Sequence, residues 1–312
     1  KTTLLNHILT STEHKMKFAV IENEFGDIGI DENILVESSE ESIIEVMNGC
    51  ICCTVRGDLT ELLVQMYDRI KDFDGVLIET TGLADPAPVA QTFFVDEKIV
   101  EYYKLDGIIT VVDAKHIIQH VEEEKPEGIE NESVEQIAFA DVLLLNKVDL
   151  VDDSALTRVK ERIRKINPFA KIIQTTRCDA PLDEVVGLNA FSLERVLEVE
   201  PDFLESDHDH EHDDEVTSVS FVSDTPLDMD KFQTWFGDLL RTKGQDILRS
   251  KGILDFQGEE ERYVFQGVHM LMDASPMGSW AEGKKRSSRI VFIGRNLDSM
   301  NLEEGFENCK IG

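Results

Sequence analysis

Val142-Leu143-Leu144-Leu145-Asn146-Lys147-Val148-Asp149 decides how the rest of the chain is read. Four apolar residues in a row fit a strand buried on both faces of a parallel sheet. The polar residues that follow are delivered to the end of that strand. Asn-Lys-x-Asp is the pattern of guanine readers. A carboxylate at Asp149 can accept both the ring N–H and the exocyclic amine of guanine, and adenine presents a different hydrogen-bonding edge. Leaving the carboxylate unpaired would cost kilocalories, which sharpens the readout.

Working outward, Val76-Leu77-Ile78-Glu79-Thr80-Thr81-Gly82 is a second apolar strand ending in an acid. Glu79 stands where a phosphate-loop enzyme places its Mg²⁺-side carboxylate, to orient the metal shell or the attacking water. Gly82 would let the backbone approach a γ-phosphate. The chain opens Lys1-Thr2-Thr3 and runs into a helix, matching only the last positions of a Walker A loop. Lys1 would reach the β- and γ-phosphates and the Thr2 hydroxyl would sit on Mg²⁺, with Thr3 beside them at the helix N-terminus. The glycines of that loop are absent from this sequence, which alone is expected to bind GTP poorly or not at all. Downstream, Thr176 in Thr175-Thr176-Arg177 is positioned to close over the base. The order is phosphate loop, acidic strand end, base reader, as in a GTPase read from N to C.

Three of the five cysteines, Cys50, Cys52 and Cys53, crowd into Gly49-Cys50-Ile51-Cys52-Cys53. A disulfide framework would spread them out. Thiols near the start of a helix deprotonate more easily, which favours metal binding. Zinc takes four tetrahedral ligands, so three thiolates leave one position for exchange. Soft Cu(I) and Co(II) fit as well. The loop Glu22-Asn23-Glu24-Phe25-Gly26-Asp27-Ile28-Gly29-Ile30-Asp31 holds four carboxylates and two glycines, supplies candidates for that position and reads as a nucleotide-sensing switch. A second candidate is Asp207-His208-Asp209-His210-Glu211-His212, where His208, His210 and His212 alternate on a stretch with no apolar residue. The remaining histidines, including His116 and His120, read as structural, as do Cys178 and Cys309.

The 312 residues carry 63 acidic and 31 basic side chains, a formal net charge of −32. That sign argues against nucleic acid and anionic membrane as general partners. No apolar run approaches the roughly 18 residues of a membrane helix. Clustered thiols in an otherwise cysteine-poor chain point to a reduced compartment, with the cytoplasm as the default, and plastid or nucleus open because the chain lacks an initiating methionine. The expected class is α/β. Residues 1–205 form a nucleotide domain with a mainly parallel sheet flanked by helices. Residues 206–215 form an acidic, histidine-rich linker, and residues 216–312 a smaller α+β domain. Helices are expected from Leu4-Leu5-Ile8-Leu9, from Leu59 to Ile70, over 153–166 and over 229–240. Strands are expected at 18–21, 43–46, 75–78, 108–112, 171–174, 216–222, 263–265 and 290–293.

These residues together resemble the CobW family of metallochaperone P-loop GTPases. The resemblance rests on Lys1-Thr2-Thr3-Leu4-Leu5, Glu22-Asn23-Glu24-Phe25-Gly26, Gly49-Cys50-Ile51-Cys52-Cys53, Glu79-Thr80-Thr81-Gly82-Leu83-Ala84-Asp85-Pro86 and Asn146-Lys147-Val148-Asp149. It extends to Leu248-Arg249-Ser250-Lys251-Gly252-Ile253-Leu254, Phe265-Gln266-Gly267-Val268 and Val291-Phe292-Ile293-Gly294. It implies GTP hydrolysis with Mg²⁺, coupled to delivery of zinc, or of cobalt in the corrin-pathway branch. It also implies Cys50, Cys52 and Cys53 as metal ligands, joined by acids such as Glu22 and Asp27. The implied partner is a client apoenzyme, such as a methionine aminopeptidase. A homo-oligomer is left open. A metal buffer with a vestigial nucleotide site is the competing reading.

Overall fold

The apolar runs of the first half become parallel strands. The computed structural model describes residues 1–11, 16–22, 46–48, 56–71, 73–82, 84–123, 125–126, 130–190, 216–280 and 285–312. Within them, α1 spans Thr2–Thr10, β1 Phe18–Glu22, β2 Val46–Asn48, α2 Arg56–Ile70 and β3 Gly75–Glu79. Then come α3 Ala87–Val95, α4 Glu97–Tyr102, β4 Ile109–Asp113, α5 Ile117–Val121, α6 Glu132–Phe139, β5 Val142–Asn146, α7 Asp153–Ile166 and β6 Lys171–Thr175. The later part holds β7 Val216–Ser223, α8 Met229–Lys243, β8 Ile247–Leu254, β9 Glu261–Val268, β10 Leu271–Ser279, β11 Ser288–Arg295 and α9 Leu302–Asn308. These elements gather into two compact units. One comprises Lys1–Gln136, Val142–Val159 and Lys171–Leu188. The other comprises Ile137–Asp141, Lys160–Ala170 and Asn189–Gly312, so the division does not fall at a single point along the chain.

In the first unit the strands form two three-stranded sheets, ordered β2-β1-β3 and β4-β5-β6, and every pairing is parallel. Parallel neighbours need crossovers; α2 lies on the path to β3, α5 and α6 on the path from β4 to β5, and α7 on the path from β5 to β6. Alternate residues of β1 serve two cores. Ala19 and Ile21 pack with Leu59, Leu63 and Met66 of α2 and Ile99 of α4. Phe18 packs with Leu4 and Ile8 of α1 and with Val142 and Leu144 of β5. Burial on both faces is why these strands read as continuous apolar runs.

The register aligns the strand ends. Glu22 of β1 pairs with Asn48 of β2 and with Glu79 of β3. Asn146 of β5 pairs with Asp113 of β4 and Thr175 of β6. Two polar rows therefore mark the carboxyl ends of the two parallel sheets, where open α/β sheets bind ligands.

In the second unit a five-stranded sheet, ordered β10-β9-β8-β11-β7, is antiparallel throughout. Phe232, Phe236, Leu239 and Leu240 of α8 share a core with Phe265, Ile290 and Phe292 of the sheet and with Phe306 of α9. Helices α8 and α9 touch closely at Gly305, where an added Cβ would come within 1.9 Å of Trp235 Nε1. Two strands escape a pattern-based reading. Edge strand β10 contains Pro276, with a register shift between Pro276 and Ser279, and most of its residues are exposed. Strand β8 interleaves Arg249, Ser250 and Lys251 with apolar residues, and most of it is nevertheless buried. No helix among the described residues is long and apolar enough to cross a membrane.

Candidate nucleotide and metal site

The Asn146-Lys147-Val148-Asp149 motif is assembled at the ends of β4, β5 and β6. Asn146 is buried, and its side chain acts inward. Its Oδ1 accepts from Thr175 Oγ1 at 3.2 Å and from the Cys178 amide at 2.9 Å. Its carbonyl accepts the Ala114 amide at 2.9 Å. Asn146 thus ties three loops together. Lys147 follows with φ 63° and the next residues enter a short 3₁₀ turn at Val148–Leu150, which leaves Asp149 exposed. Asp149 Oδ1 accepts from Thr176 Oγ1 at 3.2 Å. Arg177 and Cys178 also have left-handed backbones, with φ 55° and 56°. Three non-glycine residues in that sparsely populated region cluster here, as strained backbone does at ligand sites.

Sequence reasoning missed Asp113. Its Oδ2 accepts from Lys147 Nζ at 2.6 Å and sits 3.1 Å from His116 Nδ1, and its Oδ1 accepts the Lys115 amide at 3.0 Å. Burial alone would raise the Asp113 carboxyl. The hydrogen bonds from Lys147, His116 and the Lys115 amide outweigh it and hold the group down at about 2. The bond to Asp113 in turn raises Lys147. An acid ending an apolar strand, the rule that singled out Glu79, would have found Asp113. His116 is therefore part of this cluster, whereas His120 contributes its carbonyl to Asn131 Nδ2.

The phosphate side gathers around the loop after β3. Lys1 Nζ donates to the carbonyls of Thr80 and Thr81, each at 2.9 Å. Burial lowers the Lys1 pKa, opposed by the nearby charge of Glu79. Thr2 and Thr3 open α1 and are exposed. A Cβ on Gly82 would meet no atom within 4 Å, so the space beside that backbone is open. Gln136 Nε2 donates to the Gly82 and Ala84 carbonyls at 3.0 and 2.9 Å, with Thr81 O at 3.5 Å. This second contact also went unread in the sequence, because a glutamine within a helix carries no pattern of its own.

These residues fit a guanine nucleotide with magnesium. An exposed carboxylate, a lysine beside it and a polar hydroxyl face outward at the base corner. At the phosphate corner there are an ammonium, an exposed threonine hydroxyl and Glu79. Of the metal candidates, Glu22 closes β1 in register with Glu79. Asp27, Cys50, Cys52, Cys53, His208, His210 and His212 lie outside the described residues. Among the described residues no group of three or more His, Cys, Asp or Glu side chains could hold a metal ion.

Comparison with known proteins places the chain in a family. Residues 1–174 match the CobW/HypB/UreG nucleotide-binding domain, and residues 216–310 match the cobalamin synthesis protein cobW C-terminal domain. The zinc chaperone YjiA of Escherichia coli is 34% identical over 99% of this chain and 95% of its own length. The zinc-regulated GTPase metalloprotein activator 1 of Schizosaccharomyces pombe is 35% identical over 95% of this chain and 80% of its own. The crystal structure of Zn(II)-bound YjiA GTPase from E. coli superposes with a TM-score of 0.78 at 29% identity, covering 99% of this chain and 95% of that one. The chain belongs to the CobW/HypB/UreG family of P-loop GTPases.

Proposed function

We propose that this protein is a GTP-hydrolysing metallochaperone that binds zinc through Cys50, Cys52 and Cys53 and passes it to a client metalloprotein. One observation carries the coupling. Strand β2 ends at Asn48, in register with Glu22 and one strand away from Glu79. The thiol motif begins two residues beyond Asn48, so the chain enters it from the row of strand ends that carries the phosphate-side acid. The relatives named zinc chaperones support zinc as the cargo.

Each residue then has a task. Asp149 accepts the two N–H groups of guanine, and Asn146 fixes the loops on which that reading depends. Lys147, held by Asp113, lies beside the base reader. Lys1 neutralises phosphate charge, exchanging the Thr80 and Thr81 carbonyls for phosphate oxygens. Thr2 and Glu79 would hold magnesium, which supplies charge neutralisation at the β- and γ-phosphates. Glu79 positions the attacking water. Glu22 and Asp27 are proposed to complete the thiolate site, and the His208, His210, His212 tract to collect metal at lower affinity, since a stretch without a core must lose entropy on binding. Loss of the γ-phosphate shifts the loop and, with it, the preferred state of the thiol site, by differential affinity between two states. The client is an apoenzyme such as a methionine aminopeptidase, met in the cytoplasm.

The test uses the full-length protein. Changing Cys50, Cys52 and Cys53 together to serine should abolish stoichiometric zinc binding and make GTP turnover indifferent to added zinc. Turnover that ignores zinc in the unaltered protein would overturn the coupling. Competition between Zn²⁺ and Co²⁺ with GTP present separates zinc delivery from cobalt delivery.

A further inference from the structure

The loop that follows Glu79 is held by its carbonyls. Lys1 takes Thr80 O and Thr81 O. Gln136 takes Gly82 O and Ala84 O, with Thr81 O more distant. A carboxamide nitrogen has two hydrogens, so the contacts at 3.0 and 2.9 Å use them both and the one at 3.5 Å is weak. Lys1 is committed to phosphate in the nucleotide-bound enzyme, which leaves the Gln136 grip in place when the Lys1 grip is given up.

Gln136 is itself well anchored. Its carbonyl accepts from Thr110 Oγ1 of β4 at 2.7 Å. Helix α6 is capped by Asn131, whose Oδ1 accepts the Ser133 and Val134 amides at 3.1 and 3.3 Å. The neighbours of Gln136 along the helix, Glu135 and Ile137, are buried. The amide therefore projects from a fixed helix onto a loop that has to respond to phosphate.

We propose that Gln136 is a positioning residue for GTP hydrolysis: through the Gly82 and Ala84 carbonyls it sets where the loop after β3 stands, and with it Glu79. The proposal rests on the GTPase reading above. Gln136 needs no contact with nucleotide or metal, because it acts through the backbone. Its partners on the loop are all acceptors, so the position demands a donor. Glutamate has the same shape and offers lone pairs to carbonyl lone pairs. Leucine is a similar volume with no polar atom.

In the full chain, Gln136→Glu should lower kcat for GTP about tenfold and Gln136→Leu about threefold, since small displacements of a positioned group cost rate steeply. KM for GTP, GDP affinity and the thermal midpoint should stay within twofold or a few degrees of the parent, because the base corner and the cores are untouched. A kcat unchanged in Gln136→Glu overturns the proposal. So does a parallel fall of kcat, GDP affinity and thermal midpoint, which would mark a residue needed only for folding. A parent that binds GTP and hydrolyses none overturns the GTPase reading itself, and the proposal with it.

Discussion

Two side-chain amides in this protein each face three backbone carbonyls, in opposite surroundings. Asn167 is fully buried in the second unit, and its Nδ2 donates to Ile137 O, Ala138 O and Ala140 O at 2.8, 3.1 and 2.8 Å. Its Oδ1 accepts the Phe169 and Ala170 amides, both at 3.0 Å, so nothing on the side chain is left unused. Arg249 completes the cage, donating to Phe139 O at 2.7 Å, Ala140 O at 3.2 Å and Asp141 Oδ1 at 2.7 Å. Ile137, Ala138 and Phe139 are the last residues of α6, whose carbonyls have no partner within the helix, and Ala140 follows them. Gln136 makes the matching contacts in the first unit while half-buried, with longer bonds. The difference separates a joint from a clasp. A buried polar group must be satisfied permanently, because losing a partner costs the full desolvation penalty. A half-buried one can exchange a partner for water at smaller cost.

The largest expected effect breaks the buried side. The Arg249 and Asp141 side chains are each only 4% exposed. Arg249→Leu would strip Asp141 of this 2.7 Å guanidinium contact, while the Lys251 ammonium stays at 3.5 Å. Removing one partner of a buried pair should destabilise the second unit by about 3–5 kcal/mol. Urea unfolding checks this. A loss below about 1 kcal/mol would show that water enters the cage and that the contrast with Gln136 is one of degree. Asn167→Leu comes next, at about 3 kcal/mol, since both amide hydrogens and the accepting oxygen of a buried side chain are lost at once. The same assay on Gln136→Leu should register less than about 1 kcal/mol, as for a hydrogen bond near water.

At the nucleotide edge the expected change is in chemistry rather than stability. Asp149→Asn turns an acceptor into a donor in front of the guanine amine. GTP affinity should fall about 100-fold, as when a readout group meets the wrong partner. Xanthosine triphosphate carries a carbonyl in place of that amine and should bind the variant better than GTP does. Equal affinity of the variant for both nucleotides would remove Asp149 from base reading. Thermal stability should be unchanged, because Asp149 is exposed and its hydrogen bond to Thr176 lies at the surface.

This contrast also explains which parts of the molecule were legible in its sequence. Strands β1 and β5 were readable because burial on both faces writes an unbroken apolar run, and β3, β4 and β6 because each keeps a shorter apolar run although it is only partly buried. Their parallel pairing followed from the helices between them. The Asn146-Lys147-Val148-Asp149 motif stood out because four residues in fixed order follow one apolar strand end. The buried cage was not readable. Arg249 and Asn167 look like surface residues until tertiary structure supplies carbonyls for them. Gln136 was hidden for a similar reason, since its partners lie more than 50 positions away in sequence. The two sheet orders of the first unit were also hidden, since apolar runs say that strands pair but not with which neighbour. Strand β10 is unmarked because an exposed edge with Pro276 needs no apolar alternation.

The smallest expected effect concerns Asp113, the acid that holds Lys147. Its folded pKa of about 2 lies below the ordinary 3.8. A depressed carboxylate favours the folded protein above its unfolded pKa, and that contribution is lost as pH falls from about 4 through 2. The Lys147 pair should therefore persist across the neutral range and fail only in strong acid. Lys147→Met removes the strongest of the bonds that lower it and leaves the burial that raises it. The Asp113 carboxyl, followed by ¹³C NMR, should then titrate well above 2, while His116 and the Lys115 amide keep it from rising freely. A midpoint still near 2 would assign the depression to His116 and the backbone instead. Lys147 would then be free to move with bound base, and the nucleotide edge would be looser than the distances in the structure make it.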